Sequence, residues 1–452
     1  MNRYLCLHGL TTHTAVLLVR DANGRPKELP FGNAVRTLLS AQTERRADRT
    51  YLREQANLGQ GPLAQYAFGM RTREWAPLTA RELVKWQWDE HAALSMAKEA
   101  LAGLGLNFGT KINNHHLTKV LIFAPEDTAT EAATILEQHK AEMQQWVTRV
   151  TEERDKAARN AKRSKNRKKS PEEEGAEEAD EKVDIPPLPT AVKQKLLSAF
   201  APRDALDIAL YGRFLAEIAE SPNVDGAIQT MGSFTVGPAS TVDDFYSSAD
   251  DAKLTRRRER ALNVFDDPGA GMTGYQSLCS GTFYSHSVVD RVKLRRTLAA
   301  STGWDAQEVE AAANAAEAAF IDAFCNAVPA AKANTTAASG TLPNLLLAFS
   351  SNRPHNYASC FEKAIETAPG GPAASLQAVR RLLAQHHMII RKCGIEPGRV
   401  LSYDLDTEAV LDELRLTGDL SCQVTDTLDE FINPTPLSSP SATDAKRTEV
   451  AV

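Results

Sequence analysis

Four arginines, Arg45, Arg46, Arg49 and Arg53, fall within a run of good helix formers from Ser40 to about Gln55. Ser40 stands where a helix N-cap belongs. Arg45 and Arg49 are four residues apart and therefore share a helix face, so their guanidinium groups can reach successive phosphates of a single strand. A solvated helix face has the same pattern, and the spacing alone does not separate the two readings. No catalytic motif competes with them. The chain has no G-x-x-x-x-G-K-[ST] loop, no G-x-S-x-G elbow and no H-E-x-x-H helix. The adjacent pairs His115-His116 and His386-His387 diverge on any regular element, and His8 and His13 flank a strand end without ligand spacing. Asp243-Asp244 and Asp250-Asp251 read as solvated loop carboxylates or caps, with no base or nucleophile beside them. Six cysteines without a C-x-x-C pair read as reduced, mostly buried thiols. These features predict a binding protein with no enzymatic activity, metal or cofactor.

Charge is informative in its distribution. The 452 residues carry 52 Lys and Arg against 58 Asp and Glu, a net charge of −6, which is no nucleic-acid signature. Between Met1 and Arg53, however, nine basic residues face four acidic ones, and further basic clusters lie at Lys253 to Arg260 and Arg291 to Arg296. A local basic stripe is what steers a phosphate backbone. No run approaches the roughly 20 apolar residues of a membrane span, and the N-terminus has no leader pattern, so a soluble, cytoplasmic protein is expected.

The elements that must position these groups alternate between strand and helix patterns. Tyr4 to Leu10 and Thr14 to Val19 read as two strands, and Asp21 to Pro26 as a loop. Leu117 to Ala124 reads as a strand, followed by a long helix opened by the capping pattern Thr128-x-x-Glu131, with Ile135, Leu136, Trp146, Val147 and Val150 near one face. Further helices are expected at Val192 to Phe200, Asp305 to Ala327 and Tyr357 to Thr367, and strands at Gly281 to Val289 and Leu342 to Ser350. The mixture predicts an α+β sheet with one open face.

Val19 to Gly32, then Arg36, then Ser40-Ala41-Gln42-Thr43-Glu44-Arg45-Arg46-Ala47-Asp48-Arg49, resemble the N-terminal signature of the CasC-type repeated backbone subunit of type I-E CRISPR Cascade, in the RAMP superfamily. Three later blocks agree in order: Asp207 to Arg213 (DIALYGR) with Asn223 to Ala227, Cys279 to Tyr284, and Val328 to Lys332 with Thr336 to Ala338. The resemblance implies an RRM-like (ferredoxin-like) palm with helical insertions and a projecting thumb. It also implies copies stacked head to tail along a CRISPR guide RNA, beside other Cascade subunits, with base pairing to target DNA supplying specificity. Residue by residue, Arg20, Lys27, Arg36, Ser40, Gln42, Arg45, Arg46 and Arg49 match the guide-contacting strip, and Lys332 matches the lysine of a later segment. Asn33, Ala34, Val35, Leu38 and Glu44 depart from the strip, and Met231-Gly232 and Val236-Gly237 replace the thumb histidines.

The expected organisation is a first palm part with the RNA strip at 1–60, a helical insertion at 61–154, a disordered charged linker at 155–188 and a return to the palm at 189–211. A thumb at 212–275, the remaining palm at 276–431 and a disordered tail at 432–452 follow. In the thumb, Ile228, Met231 and Phe234 are expected to meet RNA bases or the next copy. Two alternatives stay open: a generic single-stranded RNA-binding module, and a guide-processing ribonuclease of related fold.

Overall fold

The computed structural model describes residues 2–167, 186–215, 217, 223–251 and 270–433. It opens with β1 (Tyr4–Val16), β2 (Glu28–Phe31), β3 (Ala34–Leu39) and helix α1 (Ala41–Asn57). Next come β4 (Gly69–Thr72), α2 (Trp75–Lys85), α3 (Glu90–Gly103), β5 (Ile122–Pro125), α4 (Thr128–Gln138), α5 (Lys140–Arg167), α6 (Thr190–Ala199) and α7 (Leu206–Tyr211). Then follow β6 (Ile228–Thr230), β7 (Ser233–Thr235), β8 (Thr241–Ala249), β9 (Ala270–Asp290), α8 (Arg291–Thr302), α9 (Ala306–Asn326) and α10 (Ala333–Thr336). The chain closes with β10 (Leu345–Ser351), α11 (Ala374–Cys393), β11 (Arg399–Leu401), α12 (Leu405–Thr417), β12 (Gln423–Val424) and α13 (Leu428–Ile432). These form two compact units, one of Met1–Gln65, Ala227–Leu294 and Glu310–Val452, the other of Tyr66–Gly226 and Arg295–Val309. The α+β class is as expected.

The first unit is built on a ten-stranded sheet with the path β12-β11-β10-β1-β9-β7-β3-β2, to which β6 and β8 add along β9. Leu5 to Leu10 of β1 are all buried, because β10 and β9 pair with it antiparallel on either side and both faces are covered. Cys6 and Leu10 join Val288, Leu347 and Phe349 in a core closed by Val379 and Leu382 of α11 and Leu411 of α12. His8 belongs to the same layer: its ring stacks on Tyr357 at 4.4 Å and His286 at 4.5 Å, and Nδ1 shares a hydrogen bond with the Tyr284 hydroxyl at 2.8 Å. Burial holds its pKa well below the ordinary value, so this histidine is a neutral core aromatic.

The second unit is largely helical. Trp75 and Leu83 of α2, Met96 and Leu101 of α3, Leu136 of α4, Trp146 and Val150 of α5, and Leu196 of α6 form one core. Alanines at Ala93, Ala97, Ala100, Ala132 and Ala133 let these helices approach closely. The DIALYGR block is a clasp in this unit. Gly212, at φ +75°, packs so tightly that a Cβ would stand 2.6 Å from the Gly226 nitrogen. Arg213 is buried and donates to the carbonyls of Phe123, at 3.2 Å, and Phe200.

Several boundaries differ from expectation. Tyr4 to Val16 is one strand, with the pairing irregularity between His13 and Val16 taken up by Ala15 at φ +51°. The 117–124 run is strand only where it overlaps β5, from residue 122 on, the helix from Thr128 breaks at His139, and Tyr357 to Thr367 contributes one short 3-10 turn, Ala358–Phe361. Residues 189–211 pack in the helical unit, where Val192, Leu196 and Phe200 find the apolar face they need, and do not return to the sheet. At the edges of the expected linker, α5 runs on to Arg167 and Leu188 is buried. Residues 168–185, and the expected tail beyond Asn433, lie outside the described residues. No described helix is long and apolar enough to cross a membrane.

Candidate nucleic-acid interface

Strand β8 pairs antiparallel with the first half of β9 from Thr241↔Cys279 to Ala249↔Ala270, and every residue of β8 is exposed. The result is a ribbon off the sheet, bare on both faces. Opposed residues of an antiparallel pair share a face. Phe245 and Tyr275 are such a pair, their ring centroids 5.3 Å apart while they stay 55% and 76% exposed. One step along the same face, the Ser277 hydroxyl donates to Asp243 Oδ1 at 2.5 Å. Two aromatic rings held in water on a projecting element form a surface for a flat partner.

At the base of this ribbon lies an open recess lined by Arg20, Arg25, Asp243, Tyr275, Ser277 and Lys332 among others. The loop carrying both arginines is preset by Asp21, whose Oδ1 accepts from the backbone N–H of Asn23 at 2.8 Å and of Arg25 at 2.9 Å. Gly24 supplies the φ of +83° that this turn demands, and a backbone bridge joins Arg20 to Pro26. Lys332 sits at φ +58°, an uncommon value for a non-glycine residue, while its carbonyl accepts from the N–H groups of Thr335 and Thr336, each at 3.0 Å. An adjoining recess shares Arg25, Asp243 and Ser277 and adds Lys27. Arg20 and Lys332, 312 residues apart in sequence, thus converge on one recess, with Lys27 beside them.

Helix α1 brings the remaining strip together. Ser40 holds the N-cap position, its hydroxyl 2.9 Å from that of Thr43. Gln42 and Arg46 are exposed, and Arg45 and Arg49 are half-buried. Glu44 points the other way, toward the Ser233 hydroxyl of β7, which donates to its Oε1. Burial pushes the Glu44 carboxyl up to about 8. The acid that interrupts the basic strip is therefore on the docking side of the helix, with Asp48 and Leu52, which are buried.

Four expectations are corrected. Arg36 is fully buried: Nη1 donates to the carbonyls of Thr235 at 3.0 Å and Val236 at 2.6 Å, and Nη2 to that of Phe361 at 2.9 Å. Its guanidinium neutralises backbone dipoles and has no route to a phosphate. Ile228 and Phe234 are 4% exposed, because β6 and β7 add to β9 and turn these side chains into the core. Phe234 meets Phe31 edge-on at 5.1 Å, and Met231 packs on the same core. None of the three is the projecting apolar group expected of the thumb.

Sequence reasoning missed Arg25, Phe245, Tyr275 and the Asp243–Ser277 pair. The run Thr241 to Ser248 carries no alternation of apolar and polar residues that would have marked it, because neither face of the ribbon is uniformly apolar. Among the described residues no cluster of three or more His, Cys, Asp or Glu is arranged to hold a metal ion.

The fold is shared with solved structures. One chain, from a "CRISPR RNA-guided surveillance complex, pre-nicking", is 24% identical with a TM-score of 0.68, over 95% of this chain and 99% of that one. Another, from a "CRISPR RNA-guided surveillance complex", is 21% identical with a TM-score of 0.62 over the same shares. No curated protein matches the sequence. A family model described as CT1975-like protein matches residues 5–431, nearly the whole described chain, and the protein therefore belongs to the CT1975-like protein family.

Proposed function

We propose that this chain is a guide-RNA-binding backbone subunit of a CRISPR surveillance complex, of the CasC type that the sequence blocks resemble. One observation carries the reading: Arg20, Arg25 and Lys332 line a recess at the foot of a ribbon that presents two exposed aromatic rings. Cations for the backbone and rings for the bases are what sequence-tolerant single-strand binding needs. Arg45, Arg46 and Arg49 on α1, with Gln42, Ser40 and Lys27, extend the basic surface. The family and the surveillance complexes from which its structural neighbours come support the same reading.

In this reading the subunit is non-enzymatic and cytoplasmic, and guide pairing with target DNA supplies specificity. Copies stack head to tail along the RNA, a heterologous contact whose length the RNA fixes. The thumb is the β8–β9 ribbon, not Ile228, Met231 and Phe234. The test is purification of the complex from cells, sequencing of its RNA and measurement of copies per RNA. Several copies on one guide-length RNA are expected. A single copy per RNA would reduce the protein to a generic RNA-binding module, and cleaved guide ends produced by the purified chain would make it a ribonuclease.

A further inference from the structure

We propose that the Asp243–Ser277 pair reads the ribose 2′-hydroxyl of the bound strand, and so selects RNA over DNA; this rests on the RNA-binding reading above. The starting point is an electrostatic oddity. Asp243 lines both recesses, and in the one that holds Arg20, Arg25 and Lys332 it is the only acidic side chain among the described residues, where a carboxylate repels the phosphates those cations attract. Among the described residues it forms no ion pair with any of them; its one partner is the Ser277 hydroxyl, on Oδ1. A cross-strand hydrogen bond this exposed adds little to ribbon stability, and Thr or Asn would serve it as well without the charge. What a carboxylate alone offers is a strong acceptor with a free oxygen, Oδ2, for a neutral donor.

The geometry supplies the donor. Asp243 and Ser277 are two residues from Phe245 and Tyr275 on the same face, a step of roughly 6.8 Å along an antiparallel strand. That step is about the length of a nucleoside from base to sugar edge. A base lying on the Phe245–Tyr275 rings therefore puts its ribose over Asp243, with its phosphate toward Arg20 and Lys332. The 2′-hydroxyl is a donor that DNA lacks, and it is the group by which a protein tells the two apart. Ser277, donating to Oδ1, fixes the carboxylate plane and leaves Oδ2 for the sugar.

The test compares the full chain and its Asp243→Ala and Ser277→Ala variants on three fluorescent single strands of one sequence: RNA, DNA, and RNA carrying 2′-fluoro sugars. The 2′-fluoro strand keeps an RNA-like sugar pucker but cannot donate. The wild-type protein is expected to bind RNA about tenfold or more tighter than either other strand, as a charge-assisted hydrogen bond implies. Asp243→Ala should bring the three affinities together, with DNA binding rising as phosphate repulsion is lifted, and Ser277→Ala should narrow the gap partly. An RNA-to-DNA ratio unchanged in Asp243→Ala overturns the proposal, as does wild-type binding of 2′-fluoro RNA equal to that of RNA. Loss of the preference while RNA binding persists leaves the RNA-binding reading intact. Failure of the wild-type chain to bind any strand sinks both.

Discussion

Replacing Arg36 with alanine separates a structural arginine from an RNA contact. The guanidinium has three backbone carbonyls within 3.0 Å, those of Thr235, Val236 and Phe361, in a site closed to solvent. Truncation removes the guanidinium from all three at once, and the Val236 carbonyl keeps only the Ile365 N–H, at 2.9 Å. At about 1–1.5 kcal/mol for each buried hydrogen bond to the guanidinium lost, the loss is about 3–5 kcal/mol. Against a total stability of about 5–15 kcal/mol, that is a large fraction. Urea unfolding followed by circular dichroism should show the midpoint moving sharply down, while RNA binding by the protein that remains folded keeps its salt dependence. Arg36→Lys should recover little, because one ammonium cannot span carbonyls from two separate segments. A variant of unchanged stability with a shallower salt dependence would refute the reasoning and return Arg36 to the phosphate-contacting strip.

Three further outcomes follow from the buried groups and the ribbon. Burial lowers His13, His286 and His386 to about 4, below the unfolded value of 6.5, so the unfolded chain takes up protons first and stability falls as pH drops from 6.5 toward 4. Each group contributes a loss of roughly 2 kcal/mol by pH 5, and a flat urea midpoint between pH 7 and 5 contradicts this. Glu44 has the opposite sign: its folded pKa of about 8 lies above the unfolded one, so stability present at acid pH is lost as pH rises toward 8, at up to about 1.4 kcal/mol per pH unit. Glu44→Gln should flatten that decline, and an identical decline in the variant would remove Glu44 as its cause. Phe245→Ala with Tyr275→Ala should leave unfolding unchanged, since both rings are exposed, yet weaken single-strand RNA binding about tenfold or more, as measured by anisotropy.

How legible this was in the sequence depended on the range of the forces involved. Helix α1 was readable from Ser40 and its helix formers because those signals are local. Arg36 was not, because its partners near residues 236 and 361 come from far along the chain and share no spacing with it. Ile228 and Phe234 looked stranded for a similar reason: β6 and β7 are three residues each, too short to show a period, and only β9 gives them a core. The ribbon was invisible as a strand pair because it buries neither face, so the alternation that marks ordinary strands was never imposed on it. Arg20 and Lys332 were named through family likeness alone; their meeting at one recess is a fact of the three-dimensional fold.

The most direct test of the account is the salt dependence of single-strand RNA binding by the wild-type chain and by the Arg20→Ala, Lys332→Ala double variant. With both cations on phosphates, the slope of log K against log salt should fall by about 0.7 for each contact removed, at every RNA sequence tried. A double variant that keeps the wild-type slope would contradict the recess as the place where the guide backbone is held.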